Sequence, residues 1–240
     1  MRAAITTIDP CLSQLARGAE LSLENALQLQ AEAVILTANR TFSRALFLHQ
    51  ISLEECAKID ILGGWASSHL LGLPVNIRKV ESTLASHKAK NFTNAYMLPP
   101  TETERRARQE SNWDASLAAF KDQQDAFHGE ANTRKNAALY VNFLDGTFHA
   151  PQDCITEQMV HDIALLNAEF IELVGPKVRM LARWAKEPDS ARGQLQYFQR
   201  RMEELEREMP NDPIRACDLV LAEMLEHAQQ EGVSQPPKDA

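Results

Sequence analysis

The amino-acid sequence predicts an all-α protein. Apolar residues recur at helical spacing along most of the chain, only 9 glycines occur among 240 residues, and aromatic residues make up 6% of them. No stretch of useful length shows the alternation that is typical of strands. The length suffices for one large domain or a domain with an appendage. We therefore expect a helical bundle over residues 12–185, a helical appendage over 186–232 and a disordered tail over 233–240.

The first two predicted helices are separated by a short break. Residues 12–37 have apolar positions at helical spacing, and the step 39–41 (Asn-Arg-Thr) interrupts the pattern. The second helix, over about 43–62, is almost wholly apolar on one side, so it should lie buried in the middle of a bundle. It either ends at Gly63-Gly64 or continues to about Leu71.

Four more helices are expected in the middle of the chain. The patterns predict one helix over 75–91 and a long polar helix over about 102–128. A third helix contains the segment 135–140 and ends near the turn dipeptide Asp145-Gly146. A fourth begins at Thr156 and runs to about 174, where Gly175-Pro176 interrupts it.

The predicted appendage contains a short apolar seam. Five residues step by three and four along the chain, at the a and d positions of about two heptads: Leu195, Phe198, Met202, Leu205 and Met209. A short coiled coil and packing onto the bundle both fit this pattern. A last helix is expected from Pro213 to about Gln230.

The composition is that of an ordinary soluble protein and narrows the classes of function. The net charge of -8 weakly opposes a wide nucleic-acid surface, although it leaves room for a local basic site. No apolar run is long enough to span a membrane, and the first residues lack a signal-peptide core. The 4 cysteines are scattered without a CxxC pair, which indicates reduced thiols. We expect a cytoplasmic protein with no membrane contact, metal or cofactor.

Three charged residues interrupt the apolar second helix. Glu54, Glu55 and Lys58 lie among apolar neighbours, so at least one carboxylate should face the interior. Glu54 and Lys58 have the favourable i,i+4 spacing for an ion pair. A buried charge needs a partner, which usually lies on another helix. Both a structural ion pair and a role in a functional site fit these residues.

A second polar group contains histidine. His87 and Lys90 are three residues apart and share a helix face, with Asn91 beside them. Histidine exchanges protons near neutral pH, so this pair is either a site or a solvated helix end. Arg44 and His49 also have the spacing Arg-x4-His of a ribonuclease-like motif, but they lie in the apolar helix and rank second.

A third group lies in the segment RKNAALYVNF. If the segment is helical, Asn136 and Tyr140 are four residues apart on one face, and Lys135 reaches that face only through its long side chain. A cation, an amide and a phenol close together could bind a phosphate or steer a proton. A helix start with surface cations and a half-buried tyrosine fits the same residues.

The three groups together resemble the AbiV family of abortive-infection (phage-defence) proteins, in the HEPN superfamily. The resemblance rests on the segment RALFLHQISLEECAKI, on His87 with Lys90 and on KNAALYV, in that order and over about residues 20–175. It implies a HEPN-like antiparallel helical bundle, often a homodimer, and the activity of a metal-independent ribonuclease with the motif Arg-Asn-x-x-x-His. Lys135 falls at the arginine of that motif, Asn136 at its asparagine and Tyr140 at its histidine.

The resemblance leads to two hypotheses of function. The first is a toxin that acts on RNA or the translation machinery and is triggered by a phage-encoded activator. Its catalytic set would be assembled from the three groups: Glu54, Glu55, Lys58, His87, Lys90, Lys135, Asn136 and Tyr140. His87 or Tyr140 would move the proton, and the lysines would stabilise the developing negative charge. The second hypothesis is a non-catalytic module that binds a phage or host protein and in which the same residues form a structural network.

Overall fold

The computed structural model describes residues 9–210 and 212–233. Within them the chain forms a helical bundle with one small hairpin, which confirms the all-α prediction. The elements are α1 Leu12–Ala38, α2 Phe42–Leu70, α3 Ile77–Ala85, α4 His87–Asn94, a 3-10 turn Ala95–Met97, α5 Glu102–Gln109, α6 Trp113–Leu139, β1 Asn142–Leu144, β2 Thr147–His149, α7 Pro151–Cys154, α8 Glu157–Lys186, α9 Pro188–Glu208 and α10 Pro213–Val233. No helix in the described part of the chain is both long and apolar enough to cross a membrane.

Helix α2 is the centre of the bundle, as its apolar sequence predicts. It packs against α1 and α8 along most of its length and also meets α4 and α6. The core between these helices contains side chains that are 2% exposed or less, such as Leu15, Leu46 and Phe170. Full burial of a side chain of this kind contributes about 1.5–3 kcal/mol to folding. Because α2 is covered on several sides, its buried charged residues must find partners inside the protein.

Two sequence breakers do not interrupt their helices. Helix α2 continues through Gly63-Gly64 because Trp65, Ala66 and Leu70 beyond them are buried. The predicted break at Gly175-Pro176 is wrong, since Pro176 lies inside α8. Proline in a helix interior costs about 3 kcal/mol. The buried side chains Val174 and Val178 on either side hold the helix against the core and offset that cost.

The helix predicted over 75–91 is two helices. Ser86 has an extended backbone that ends α3, and its hydroxyl accepts a hydrogen bond from the amide of Ala89 at the start of α4. Serine favours such caps because its side chain replaces a missing backbone partner. The break turns His87 and Lys90 towards α2, where the candidate site lies.

The boundaries of the polar helix also differ from the prediction. A break at Ser111, which has a positive φ of 54°, separates α5 from α6. Helix α6 then runs without interruption into the segment that contains Lys135, so the two predicted helices are one. It ends at Leu139, and Tyr140 has an extended backbone. The chain then forms the β1–β2 hairpin around Asp145-Gly146, so the predicted helical end near that turn is wrong.

The apolar seam of α9 packs within the chain. Leu205 is buried with Ala216 and Val220 of α10, and Phe198, Met202 and Met209 are packed against them. Leu195 instead contacts the main core. The seam is therefore covered largely by α10, and Leu195 is the seam residue that contacts the core of the bundle. Residues 234–240, which contain most of the predicted disordered tail, lie outside the described residues.

Candidate functional site

A single buried carboxylate stands at the centre of the candidate site. Glu54 lies in the middle of α2, and it is 1% exposed. Helices α4 and α6 both pack against α2. Helices α4 and α6 each place basic side chains next to this carboxylate, so Glu54 of α2 forms contacts with both of the other helices.

Three nitrogen groups converge on Glu54. Its Oε2 accepts hydrogen bonds from His87 Nδ1 at 2.5 Å and from Lys90 Nζ at 2.8 Å. Its Oε1 accepts a hydrogen bond from Lys135 Nζ at 3.1 Å. Lys90 and Lys135 are themselves buried. The predicted i,i+3 pair of His87 and Lys90 therefore shares one partner, and Lys135 joins it from a position 81 residues further along the chain than Glu54.

The lysines and the imidazole hold Glu54 in its ionised form. Burial alone would raise the pKa of this carboxyl. The hydrogen bonds from Lys90 and His87, the charge of Lys90 and the hydrogen bond from Lys135 outweigh burial, and the pKa lies below its usual value. Two lysines nevertheless face one carboxylate, so the buried group has an excess of positive charge.

His87 connects this buried group to the surface. Its side chain is 55% exposed even though Nδ1 is bonded to Glu54. An ionised carboxylate only accepts hydrogen bonds, so Nδ1 carries the proton. In the neutral ring Nε2 is then the basic nitrogen. The arrangement is that of an imidazole oriented by a carboxylate that also binds two lysines.

A second histidine lies beside the cluster, and the sequence did not reveal it. The side-chain amide of the buried Asn91 donates to His128 Nδ1 at 3.2 Å. Burial lowers the pKa of His128, and the charges of Lys88 and Lys135 lower it further. His128 and Lys135 are seven residues apart on α6 and so share a face. That spacing is the available signal, but the sequence pattern predicts separate helices for the two residues, whereas both lie on α6.

Glu55 and Lys58 form a separate pair next to the cluster. Lys58 Nζ lies 2.5 Å from Glu55 Oε1, and 27% of the lysine side chain is exposed. The i,i+4 pair expected between Glu54 and Lys58 is thus replaced by this i,i+3 pair. Glu54 instead binds residues of other helices, as its burial requires.

The two other candidate site residues of the Lys135 segment, Asn136 and Tyr140, lie in exposed positions. Asn136 is exposed, and Tyr140 is 60% exposed where α6 gives way to the hairpin. Because Tyr140 is not helical, it does not share a helix face with Asn136 as the sequence predicted. Among the described hydrogen bonds and ion pairs, Lys135 alone of this segment joins the Glu54 cluster.

Arg44 and His49 do not form one site. His49 is 1% exposed, and its Nδ1 lies 3.1 Å from Asn167 Oδ1. The amide of Asn167 in turn donates to Ser52. Burial lowers the pKa of His49. Arg44 is exposed at the start of α2, so the Arg-x4-His spacing joins a structural histidine to a surface cation.

The described residues contain no group of three or more His, Cys, Asp or Glu side chains that could hold a metal ion. The four cysteines are free thiols, of which Cys56 is buried and Cys11 exposed. Burial raises the pKa of the Cys56 thiol to about 12.

Comparisons with known proteins agree with the earlier resemblance. The protein y4gJ of Sinorhizobium fredii (strain NBRC 101917 / NGR234), described as uncharacterized, is 38% identical over 109 residues. These residues cover 45% of this chain and 57% of that protein. No solved structure matches the chain. A sequence model of the AbiV family of HEPN proteins matches residues 14–172, which include the whole Glu54 cluster. The chain therefore belongs to the AbiV family of the HEPN superfamily.

Proposed function

We propose that this protein is an abortive-infection toxin that acts on RNA or the translation machinery in the cytoplasm, as a metal-independent endoribonuclease. Membership of the AbiV family supports a HEPN-type function. The observation that carries the catalytic proposal is the exposed His87 imidazole, which is bonded to the buried Glu54 beside two lysines.

In the proposed reaction the 2′-hydroxyl of RNA attacks the adjacent phosphorus. His87 Nε2 takes the proton of that hydroxyl as the new oxygen–phosphorus bond forms. The bond from phosphorus to the 5′-oxygen breaks, and the leaving oxygen takes up a proton from the protonated His87 or from the Tyr140 hydroxyl. The products are a 2′,3′-cyclic phosphate and a 5′-hydroxyl. His87 and Tyr140 are the candidates for proton transfer.

Positive charge would stabilise the transition state. The phosphoryl oxygens gain negative charge during the attack, and preorganised cations near them lower the barrier. Lys90 and Lys135 supply an excess positive charge behind His87, and Lys58 lies on the neighbouring pair with Glu55. In this proposal Glu54 orients His87, while Glu55 holds Lys58.

The proposal includes a homodimer and a phage-encoded activator. Both follow from the family, because HEPN subunits are often paired and AbiV proteins act in phage defence. The α9 seam does not support the dimer, since it packs against α10 in the same chain. The proposed dimer interface therefore lies on the bundle.

The rival proposal is a non-catalytic module that binds a phage or host protein. One observation favours it: Lys90 and Lys135 are both buried and bonded to Glu54, as in a structural network. In that case the residues would fix the relative positions of α2, α4 and α6 and would not contact RNA.

Incubation of purified protein with total RNA in EDTA separates the two proposals. An enzyme should cut RNA and leave cyclic-phosphate ends. His87→Ala should reduce the rate by about 10²-fold or more, because removal of a general acid–base group has that effect. His161→Ala is the matched control, since His161 is an exposed histidine on α8. Tyr140→Phe removes one hydroxyl and keeps the ring, so it tests the role of Tyr140.

Thermal unfolding of each variant must match wild type for the rates to be compared. Intact RNA with wild-type protein, together with unchanged toxicity of His87→Ala and Tyr140→Phe in cells, would refute the catalytic proposal. Cellular toxicity also covers the case in which cleavage requires a phage activator that is missing from the purified reaction.

A further inference from the structure

A polar cavity lies at the start of α2, away from the Glu54 cluster. Its volume is about 390 Å³, and its lining consists of the end of the α1–α2 turn, the first turn of α2 and the start of α7: Arg40, Thr41, Phe42, Ser43, Arg44, Pro151 and Gln152. Glu54 follows Phe42 by twelve residues, which at 1.5 Å per residue places it about 18 Å along the helix. The cavity is therefore a separate site.

The first turn of α2 presents backbone amides without partners. The first intrahelical hydrogen bond joins the amide of Ala45 to the carbonyl of Thr41. The hydroxyl of Thr41 donates to the carbonyl of Asn39 and does not cap the helix. Among the described hydrogen bonds none uses the amides of Phe42, Ser43 or Arg44. These amides and the helix dipole together favour an anion.

The side chain of Ser43 provides an independent indication of a ligand. Ser43 lines the cavity and is only 8% exposed. Its hydroxyl has no hydrogen-bond partner within residues 9–210 and 212–233, and because Ser43 lines the cavity the hydroxyl is accessible from it. An acceptor in the cavity would satisfy it.

The charge of the cavity points the same way. Arg40 and Arg44 both line it, and neither forms an ion pair with another described residue, although Arg40 lies 5.9 Å from the ring of Phe42. The lining contains no carboxylate, in a chain whose net charge is -8. Arginine binds phosphate oxygens through two parallel hydrogen bonds, which makes phosphate the best-matched anion.

We propose that this cavity binds a phosphate group. The three amides and the Ser43 hydroxyl donate to its oxygens, and the guanidinium groups of Arg40 and Arg44 neutralise its charge. The volume lies within the range of small-molecule sites, so it accommodates the phosphate together with part of the nucleotide that carries it. The phosphate belongs either to a free nucleotide or to a nucleic-acid strand. The inference does not depend on the proposed cleavage of RNA.

Calorimetric titration of the full-length protein tests the site. The probes are inorganic phosphate, adenosine 5′-monophosphate, and short oligothymidylates with a 5′-phosphate or a 5′-hydroxyl. Oligothymidylate lacks the 2′-hydroxyl, so the proposed ribonuclease cannot cleave it. We expect a dissociation constant of about 1 mM or less for the nucleotide. Arg44→Gln should weaken it at least about tenfold, since hydrogen bonds to charged groups are the strong ones.

Two further variants sharpen the result. Arg40→Gln should have an effect similar to that of Arg44→Gln, and both residues are exposed, so the fold should persist. Arg17→Gln is the control, because Arg17 is an exposed arginine on α1 that already pairs with Glu20 and Glu24. Preference for the 5′-phosphorylated strand would identify a phosphate monoester as the ligand. Equal binding of both strands, weakened by Arg44→Gln, would identify a backbone phosphodiester.

Two results would overturn the proposal. One is the absence of heat with every probe up to about 10 mM, well above the expected dissociation constant. The other is unchanged affinity in the Arg40→Gln and Arg44→Gln variants, which would place any bound phosphate elsewhere on the protein.

Discussion

Replacing Glu54 with glutamine should destabilise the protein severely. The substitution keeps the shape of the side chain and removes the charge that neutralises Lys90 and Lys135. Both lysines are buried, and their nitrogens lie 2.8 Å and 3.1 Å from the carboxylate. The amide nitrogen of glutamine would also face one of these donors. Breaking a buried ion pair from one side costs about 3–5 kcal/mol in the free energy of unfolding.

That cost corresponds to a measurable change in melting temperature. For a domain of this size each kcal/mol lowers the Tm by about 2–4 °C, so we expect a fall of about 6–20 °C. Calorimetry or circular dichroism at neutral pH measures it. The matched control is Glu20→Gln, because Glu20 pairs with Arg17 at 2.9 Å but its side chain is 39% exposed. An exposed pair contributes less than about 1 kcal/mol.

The pH dependence of the stability difference between wild type and Glu54→Gln provides a second check. The pKa of Glu54 in the folded protein lies below its ordinary value of 4.5. Its contribution is therefore complete above pH 4.5 and is lost as the pH falls through the folded pKa. The difference in stability between wild type and Glu54→Gln should shrink on acidification below pH 4.5. A Tm of Glu54→Gln within 2 °C of wild type at neutral pH, as for the control, would refute the reasoning.

Two other predictions concern His128 and assembly. Burial and the charges of Lys88 and Lys135 lower the pKa of His128, so its imidazole should titrate below pH 6.5 in an NMR titration, and Lys88→Ala should raise that midpoint. Its neutral form stabilises the fold fully above pH 6.5, and this contribution is lost as the pH falls through the folded pKa; a midpoint at or above 6.5 would contradict the geometry. Sedimentation velocity at micromolar concentration should show a dimer, and deletion of residues 186–240 should preserve it because the α9 seam packs within the chain. A species of 26.9 kDa alone would contradict the dimer.

The fold was predictable wherever apolar periodicity and tertiary burial agree. Helix α2 follows from its apolar residues, and its central place follows from its almost wholly apolar side. The errors lie where local signals compete with long-range packing. Pro176 is a strong breaker locally, but the core contacts around it keep α8 intact. Ser86 is a weak signal inside a helical pattern, yet its capping hydrogen bond ends one helix and starts the next.

Only part of the candidate site could be read from the sequence. The i,i+3 spacing identifies His87 and Lys90 as neighbours, and the apolar context marks the two glutamates as unusual. Neighbouring residues differ by 100° around a helix, so the choice between Glu54 and Glu55 depends on where α4 and α6 lie. His128 was missed because its helix is polar on most faces, and no apolar contrast distinguishes it there.

The position of Lys135 bears on the mechanism. The resemblance to the HEPN motif implies that Lys135 stands at the arginine position and Tyr140 at the histidine position, so both charged positions would differ here. Lys135 is buried and bonded to Glu54, while Tyr140 lies exposed beyond the end of α6. Within the proposed reaction, proton transfer is therefore better assigned to His87, whose Nδ1 is bonded to the other oxygen of the Glu54 carboxylate.

This arrangement also determines which substitutions can change activity without changing stability. Glu54 holds two buried lysines and the imidazole, so its replacement must affect both the fold and any reaction. The side chain of His87 is 55% exposed, and Glu54 keeps both lysine partners when His87 is removed. A histidine that served only the fold would leave toxicity unchanged when replaced by alanine. Loss of toxicity in His87→Ala without a fall in Tm would therefore point to chemistry at the surface of the cluster.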